Sequence, residues 1–334
     1  MRNVYVQTNE AGGNRVIVFE AGDDGALTKL ASASTGGNGD GVPHLTSQGS
    51  LVLTQDGSRL LVANAGSGNV SVLSAGDEAS LLQVLPTGPA PKSIAEHAGL
   101  VYVLNTGTPS LAGFHLVADG LEPLDGSLRE LAADADPAQV GFTPDGSALV
   151  VTQRGTNSVA VFPVGEEGLL GEPVVTPSSG ATPYGFAFGA NGALVVTEAF
   201  GAQKGKAAAS SYRVTGTAPE PVSRSIGNGR SEICWAVVSN DGRFVFTTNF
   251  ADGAVSSWAI GEDCSLTLED AVAGTAVEGR PGLRDEDLSR DGRFLYAIDA
   301  DAGRVCGWSV ENGRLSPLGS WNGVPATVAG LAAS

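Results

Sequence analysis

Basic residues are scarce in this chain. Its 334 residues include 19 Lys and Arg, only 4 of them Lys, against 36 Asp and Glu, which gives a formal net charge of −17. Binding to nucleic acids depends on cationic side chains that neutralise phosphates, and anionic membrane surfaces attract proteins in the same way. The charge balance therefore excludes nucleic acids and membrane surfaces from the expected partners.

Long apolar runs and paired cysteines are also lacking. No stretch approaches the roughly 18 apolar residues of a membrane-spanning helix, and the first residues, MRNVYV, lack the apolar core of a secretory signal and predict a strand instead. The 3 Cys residues are odd in number and show no CxxC spacing, so no disulfide framework is predicted. We expect a cytoplasmic protein, with secretion after removal of a signal as the alternative.

Several motifs that carry chemistry are absent. The chain has no H-E-x-x-H, EF-hand, Walker A, Rossmann or G-x-S-x-G motif, so His or Cys metal sites, nucleotide cofactors and a serine-hydrolase triad have no support. We predict no metal site and no cofactor. A divalent cation held by carboxylates around a channel is left open, because hard cations prefer oxygen ligands.

Glycine, by contrast, is abundant. The chain holds 47 Gly, and charged residues make up only 16% while hydrophobic residues make up 42%. Glycine is unfavourable inside helices, and the apolar content is sufficient for a folded core. This composition indicates a large all-β protein.

An internal repeat organises the whole chain. Segments 50–73 (SLVLTQDGSRLLVANAGSGNVSVL), 139–162 (QVGFTPDGSALVVTQRGTNSVAVF), 235–258 (WAVVSNDGRFVFTTNFADGAVSSW) and 283–308 (LRDEDLSRDGRFLYAIDADAGRVCGW) each show an apolar strand, a D-G turn, a second apolar strand, a Gly-rich turn and a third strand. Two weaker copies lie between them, and a fourth strand follows each copy. A period of about 45 to 50 residues with four strands per unit is typical of a β-propeller.

The two ends of the chain supply a seventh unit. The N-terminal residues match the second, third and fourth strands of the repeat, and residues 326–334 match a first strand, so pairing them closes the ring and removes exposed sheet edges. We predict an all-β, seven-bladed β-propeller with four antiparallel strands per blade, formed as one domain over residues 1–334. The predicted blades span residues 322–334 with 1–35, then 43–88, 89–127, 136–175, 181–224, 231–272 and 281–320.

The first strand of each blade lines the central channel, where ligands of propellers bind. Counting seven positions back from each turn residue places Gly49, Pro91, Ala138, Tyr184, Cys234 and Arg284 at the channel mouth. Two second strands end in Gln153 and Glu198, where the other blades have the turn-forming residues Asn or Asp. The predicted substrate-binding residues are His44, Gln139, Gln153, Tyr184, Cys234, Trp235 and Asp287.

Four consecutive charged residues, Arg284 to Asp287, interrupt the apolar pattern of an innermost strand. Unpaired buried charge is costly, so these residues are either part of a solvated loop or engaged by a ligand. In the second case Arg284 holds an anionic group and a carboxylate acts as a base. The predicted catalytic residues are Arg284, Glu198, Asp285 and Glu286.

The repeat units 139–162 and 283–308 resemble those of the seven-bladed β-propeller lactonase family, which includes bacterial 6-phosphogluconolactonase and fungal carboxymuconate lactonising enzyme. The resemblance implies that Arg284 is the family's channel arginine and that Glu198 keeps an acidic role. Tyr184 stands where the family has a second arginine, and Ala138 and Gln139 stand where it has a catalytic histidine. Loss of the second arginine argues against a phosphorylated substrate, because such groups favour several cationic partners.

The expected function is that of a small-molecule enzyme, a lactonase-like hydrolase that opens or forms a lactone or related ring at the channel mouth with a carboxylate base and an arginine. Two alternatives stay open: an isomerase or cyclase on the same scaffold, and a propeller that binds a ligand or protein without catalysis. We expect a small-molecule ligand as partner and a monomer.

Overall fold

Each repeat unit folds into an antiparallel sheet because its turn residues bond to their own loop. In the second blade the side chain of Asp56 accepts hydrogen bonds from Thr54 Oγ1 (2.7 Å) and from the backbone N–H of Ser58 (2.9 Å), and Gly57 follows at a φ of 72°. Glycine adopts that left-handed conformation without steric cost. These hydrogen bonds lower the pKa of Asp56 to about 2, so the turn keeps its charge across the physiological range.

The structure is a computed structural model that describes residues 2–43, 45–46, 48–216, 218–276 and 279–334. It contains seven sheets, each a blade. Blade 1 consists of β1 (Asn3–Thr8), β2 (Arg15–Ala21), β3 (Leu27–Ser34) and the last strand of the chain, β29 (Val328–Ala333). Blade 2 consists of β4 (Leu51–Leu53), β5 (Arg59–Asn64), β6 (Asn69–Ser74) and β7 (Leu81–Pro86). Blade 3 consists of β8 (Pro91–His97), β9 (Leu100–Asn105), β10 (Ser110–Val117), β11 (Gly120–Pro123) and β12 (Arg129–Glu130).

The remaining blades follow the same order. Blade 4 consists of β13 (Pro137–Phe142), β14 (Ala148–Gln153), β15 (Ser158–Pro163) and β16 (Val174–Pro177). Blade 5 consists of β17 (Pro183–Phe188), β18 (Ala193–Glu198), β19 (Ala208–Thr215) and β20 (Ala218–Gly227). Blade 6 consists of β21 (Ile233–Val238), β22 (Phe244–Asn249), β23 (Ala254–Ile260) and β24 (Leu266–Thr275), and blade 7 of β25 (Leu283–Leu288), β26 (Phe294–Asp299), β27 (Arg304–Glu311) and β28 (Arg314–Asn322). The predicted all-β, seven-bladed propeller is confirmed.

Helix contributes very little to the described residues. Two 3₁₀ turns, Phe200–Ala202 and Phe250–Asp252, are the helical segments found there. No helix in this part of the chain has the length and apolar character needed to cross a membrane.

The core lies between the blades rather than inside one of them. Successive side chains of a strand point to opposite faces of its sheet, so each central strand contributes to two interfaces and is apolar throughout. Tyr5 and Val18 of blade 1 pack on Leu60 of blade 2, for example, and Phe19 packs on Tyr296 of blade 7. Buried apolar clusters of this kind occupy all seven junctions around the ring.

The ring closes as predicted through the two ends of the chain. β29 pairs antiparallel with β1, with Leu331 opposite Val6 and Ala333 opposite Val4. One register differs from the prediction. Pro91 pairs with Asn105 as Pro137 pairs with Gln153, so the residue of blade 3 at the channel mouth is Lys92. The first hairpin of this blade is two residues shorter, with one residue fewer on each side of the turn.

Candidate functional site

The innermost strands have one sheet edge without a neighbouring strand, and side chains replace the missing partner. The Gln139 side chain accepts a hydrogen bond from the backbone N–H of Phe186 (2.6 Å) and donates one to its carbonyl (3.1 Å). Unpaired backbone groups are costly away from water. The side-chain amide supplies the two hydrogen bonds that a neighbouring strand would otherwise make. The substrate-binding role of Gln139 stays a prediction beside this structural one.

Gln48 crosses the channel. Its side-chain amide donates to the carbonyl of Ala236 (2.8 Å) and accepts from the N–H of the same residue (3.1 Å), which links blade 2 to blade 6 on the far side of the axis. A Cβ on Gly185 would clash with the carbonyl oxygen of Cys234 and with Gln48 Oε1, so glycine is needed where the amide passes. We call the region at the starts of the innermost strands the mouth, and the cavity lined by Gln48, Asp285, Glu286 and Asp287 the lower chamber.

Five side chains from blades 4 to 7 form what we call the mouth cluster: Arg154, Tyr184, Glu232, Cys234 and Arg284. They come from strand starts and from turns that follow second strands, and both kinds of loop lie at the same end of a propeller. Burial raises the pKa of Tyr184, Cys234 and Glu232, and the arginine charges oppose that rise: both arginines act on Tyr184 and Cys234, and Arg284 acts on Glu232.

Arg284 is the most confined charge of the mouth cluster. It is only 3% exposed, its guanidinium lies 3.9 Å from the centre of the Phe250 ring, and its nearest carboxylate, on Asp301, is 3.9 Å from Nη2. Burial lowers the pKa of Arg284, an effect that Asp301 opposes, and the residue stays cationic. Its Nε has no hydrogen-bond partner among the described residues. A buried donor of this kind suits a ligand with an acceptor oxygen.

Arg154 supplies a second cation that the sequence analysis missed. Its guanidinium lies 5.0 Å from the centre of the Tyr184 ring and is paired with Asp136 (Nη2 to Oδ1, 2.6 Å). Tyr184 in turn contacts Trp235, with ring centroids 5.9 Å apart. In the family that the sequence resembles, a second arginine is expected at the position of Tyr184. Here the Arg154 guanidinium lies over the Tyr184 ring and comes from a neighbouring turn. Its place directly after Gln153, at the end of a second strand, was the available signal.

Glu232 is the acid of the mouth cluster and was also missed. It is partly exposed and has a left-handed φ of 55°, a conformation that costs free energy in any residue with a Cβ. Its carbonyl accepts the N–H of Phe250 (2.9 Å), which fixes this backbone. Burial raises the pKa of Glu232, opposed by the Arg284 charge. Its position two residues before Cys234, which the repeat places at the channel mouth, was the signal in the sequence that could have identified it.

Cys234 is held as a neutral thiol. It is 8% exposed, and burial is the main reason that its pKa rises to about 12. Cys264 and Cys306 are also free and buried. Because the thiolate is the reactive form, we expect iodoacetamide at pH 8 to label the native protein slowly and the guanidinium-unfolded protein at all 3 cysteines. Intact-mass measurement distinguishes the two states, and rapid native labelling at Cys234 would contradict a buried, neutral thiol.

Glu198 ends β18 of blade 5, where it pairs with Pro183. Its side chain is 0% exposed, and Oε1 accepts hydrogen bonds from the N–H of Gly180 (2.8 Å) and from Ser210 Oγ (2.5 Å). Burial raises its pKa. The carboxylate therefore ties the loop before β17 to the blade, and its predicted catalytic role stays a prediction that these contacts do not support.

The charged run forms part of strand β25, and the solvated loop considered as an alternative is not found. Arg284, Asp285 and Glu286 are buried. Arg284 lies at the mouth, whereas Asp285, Glu286 and Asp287 line the lower chamber. The charged run is thus shared between the mouth and the lower chamber. The catalytic roles of Asp285 and Glu286 and the substrate-binding role of Asp287 stay predictions.

The other predicted residues are dispersed. Gln153 lines a groove between blades 3 and 4. Trp235 is 1% exposed and packs beneath Tyr184. His44 lies outside the described residues. Among the residues that the structure does describe, no group of three or more His, Cys, Asp or Glu side chains is placed to hold a metal ion.

Sequence and structure comparisons agree on the architecture. The family model described as "Lactonase, 7-bladed beta-propeller" matches residues 122–204 and 198–327. A protein from Bacteroides uniformis, described as a candidate 6-phosphogluconolactonase, superimposes with a TM-score of 0.78 at 16% identity over 100% of this chain and 99% of its own. The periplasmic gluconolactonase PpgL of Pseudomonas aeruginosa gives 0.74 at 20% identity over 99% and 98%. No curated protein matches the sequence. At these identities the structural likeness establishes the fold.

Proposed function

The chain belongs to the seven-bladed β-propeller lactonase family, and from this premise we propose that it hydrolyses a lactone at the mouth cluster. The observation that carries the proposal is a buried hydrogen-bond donor without a partner that has an acidic side chain in its surroundings. Arg284 Nε is buried without a partner in the described part of the chain, and the nearby Glu232 interacts with the same guanidinium. A hydrolase needs a donor for the carbonyl oxygen and a base for water.

In this proposal the lactone carbonyl oxygen accepts a hydrogen bond from Arg284 Nε–H. Phe250 holds the guanidinium plane from behind at 3.9 Å, so the donor needs no reorientation when charge develops on the oxygen. Tyr184 and Arg154 form the opposite wall of the mouth cluster. This wall suits the ring of the substrate and a polar or anionic substituent on it.

The chemical steps use Glu232 as the base. Its carboxylate takes a proton from water while the water oxygen bonds to the carbonyl carbon, and the carbonyl π electrons move to the oxygen beside Arg284. As the tetrahedral intermediate collapses, the ring C–O bond breaks and the departing oxygen takes the proton from Glu232. The product is the open hydroxy acid, and Glu232 returns to its carboxylate form.

The direct test is a panel of lactones that differ in ring size and charge, followed by proton release in weakly buffered solution. Hydrolysis releases a proton because the product carboxylic acid ionises, so we expect catalysed acidification with at least one member. Isomerisation or cyclisation would convert the ring without that proton. Saturable binding without any turnover across the panel would instead support a non-catalytic propeller and contradict the proposal.

Glu232→Gln tests the base on the substrate that turns over fastest. Loss of a general base lowers kcat by about 10²-fold or more. Because burial raises the pKa of Glu232, wild-type activity should fall as the pH drops through that raised value, since protonation removes the base. The acidic limb of the pH–rate profile should disappear in the variant.

A matched control is Glu262→Gln, which changes an exposed acid in the turn between β23 and β24 and should leave the profile unchanged. A Glu232→Gln profile that keeps both its rate and its acidic limb would show that another group is the base. A small-molecule ligand, a monomeric state and a cytoplasmic location remain predictions from the sequence.

A further inference from the structure

The lower chamber is a partly open cavity lined by the innermost strands, and none of the five mouth-cluster residues lines it. It has a volume of about 200 Å³ and extends from Gln48 to Arg290, with Asp285, Glu286 and Asp287 in its wall. One water molecule takes about 30 Å³ in the liquid, so the chamber can hold an ion with part of its hydration shell.

Two of the three carboxyl groups accept hydrogen bonds at both oxygens. Asp285 accepts the N–H of Glu286 at Oδ1 (3.1 Å) and that of Leu331 at Oδ2 (3.2 Å). Asp287 likewise accepts the N–H groups of Leu288 (2.9 Å) and Ala333 (2.9 Å). An acceptor at both oxygens suits the ionised form, in which neither oxygen carries a proton.

Glu286 differs from its two neighbours. Its Oε1 accepts the N–H of Thr248 (3.1 Å), while Oε2 is buried and has no hydrogen-bond partner among the described residues. The residue is 2% exposed. A buried carboxylate oxygen without a donor is costly, so this atom requires a positive or donating partner, and the residue that carries it lines the chamber.

The balance of charges in the chamber also favours a positive group there. Three carboxyl groups face one cation, Arg290, whose Nη2 is already bonded to the carbonyl of Thr54 (2.6 Å). Burial raises the pKa of all three acids, and mutual repulsion adds to this at Asp285 and Glu286. Either a proton or a bound cation must therefore offset the negative charge.

We propose that the lower chamber binds a compact monovalent cation against Glu286 Oε2. A divalent metal is the poorer fit, since no three acidic, His or Cys side chains of the described chain are placed to ligate one ion. A monovalent ion accepts looser coordination by one carboxylate, amide or carbonyl oxygens and water. Sodium, potassium and ammonium share this chemistry, and the experiment distinguishes them.

The test is thermal unfolding of the full chain in sodium, potassium or ammonium chloride, with tetramethylammonium chloride as a reference whose methyl groups prevent close contact between its charge and a carboxylate oxygen. Ionic strength is held constant at a pH near 8. A cation bound only by the folded state raises the unfolding midpoint, and we expect a shift of about 2 °C or more for the preferred ion. Glu286→Gln should abolish the difference between salts, whereas Glu122→Gln, an exposed acid on β11, should retain it.

A midpoint that is the same in all four salts would overturn the proposal, as would an ion-specific shift that persists in Glu286→Gln. A response to calcium alone would overturn the monovalent assignment. If Glu286→Gln does not fold, crystals of the wild-type protein soaked in rubidium chloride provide the second measurement. An anomalous peak in contact with Glu286 Oε2 supports the site, and the absence of any peak in the chamber overturns it.

Discussion

Replacing Arg284 by methionine should lower kcat/KM for lactone hydrolysis by about 10²–10³-fold, the usual effect of removing one donor from a developing oxyanion. Methionine keeps much of the volume and the contact with Phe250 while removing every N–H. The measurement is proton release on the best lactone of the panel, with kcat and KM determined separately. A donor that acts on the transition state lowers kcat, whereas one that only binds the ground state raises KM.

The folded state should survive this substitution. Asp301, the nearest carboxylate to Arg284, has a side chain that is 52% exposed, so water replaces the lost partner and no buried charge is left unpaired. Arg243→Met is the matched control, because Arg243 lies in an exposed D-G turn at the opposite end of the ring. Equal rates for wild-type protein and Arg284→Met, with unchanged unfolding midpoints, would remove Arg284 from the mechanism.

Deleting β29 (residues 328–334) should abolish cooperative folding. The strand buries Val328, Leu331 and three alanines and pairs with β1. Losing these contacts and ladder hydrogen bonds costs on the order of 10 kcal/mol, which matches the whole stability of a typical domain. The exposed inner edge of β1 would also favour aggregation. Circular dichroism on heating and limited proteolysis measure the loss.

The control for this deletion removes Ser334 alone. That residue lies after the strand and makes three hydrogen bonds to the backbone of Asn3. Its hydroxyl accepts the N–H (2.6 Å) and donates to the carbonyl (3.2 Å), and its own N–H donates to the same carbonyl (2.9 Å). Its loss should cost about 1 to 3 kcal/mol, well below the cost of losing the strand. If the chain without residues 328–334 still unfolds in one sharp transition, the ring closes without the C-terminal strand and the prediction is wrong.

The repeat was sufficient to predict the fold because its signals are local. A D-G turn such as Asp145-Gly146 predicts a tight hairpin from two adjacent residues. An apolar second strand such as Ala148–Gln153 predicts a strand that is buried on both faces, as the structure shows. Closure followed from counting strands at the two ends. Blade 3 shows the limit of this counting, since a first strand with one residue fewer before the turn places Lys92, and not Pro91, at the channel mouth.

The site was predictable only where a residue lies on an innermost strand. Arg284 and Tyr184 occupy repeat positions, and the structure places both at the mouth. Arg154 and Glu232 come from turns, whose side-chain directions depend on contacts with neighbouring blades. For Glu198, whose catalytic role stays a prediction, the repeat indicated the end of a strand, while hydrogen bonds with Gly180 and Ser210 orient the side chain. Such partners are distant in sequence and leave no local pattern.

The amide of Gln48 that joins blade 2 to Ala236 of blade 6 has a mechanical consequence. The apolar clusters connect each blade only to its neighbours around the ring, whereas these two hydrogen bonds connect blades across it. Blades 2 and 6 cannot move apart without breaking both hydrogen bonds, so the amide stiffens the propeller across its diameter.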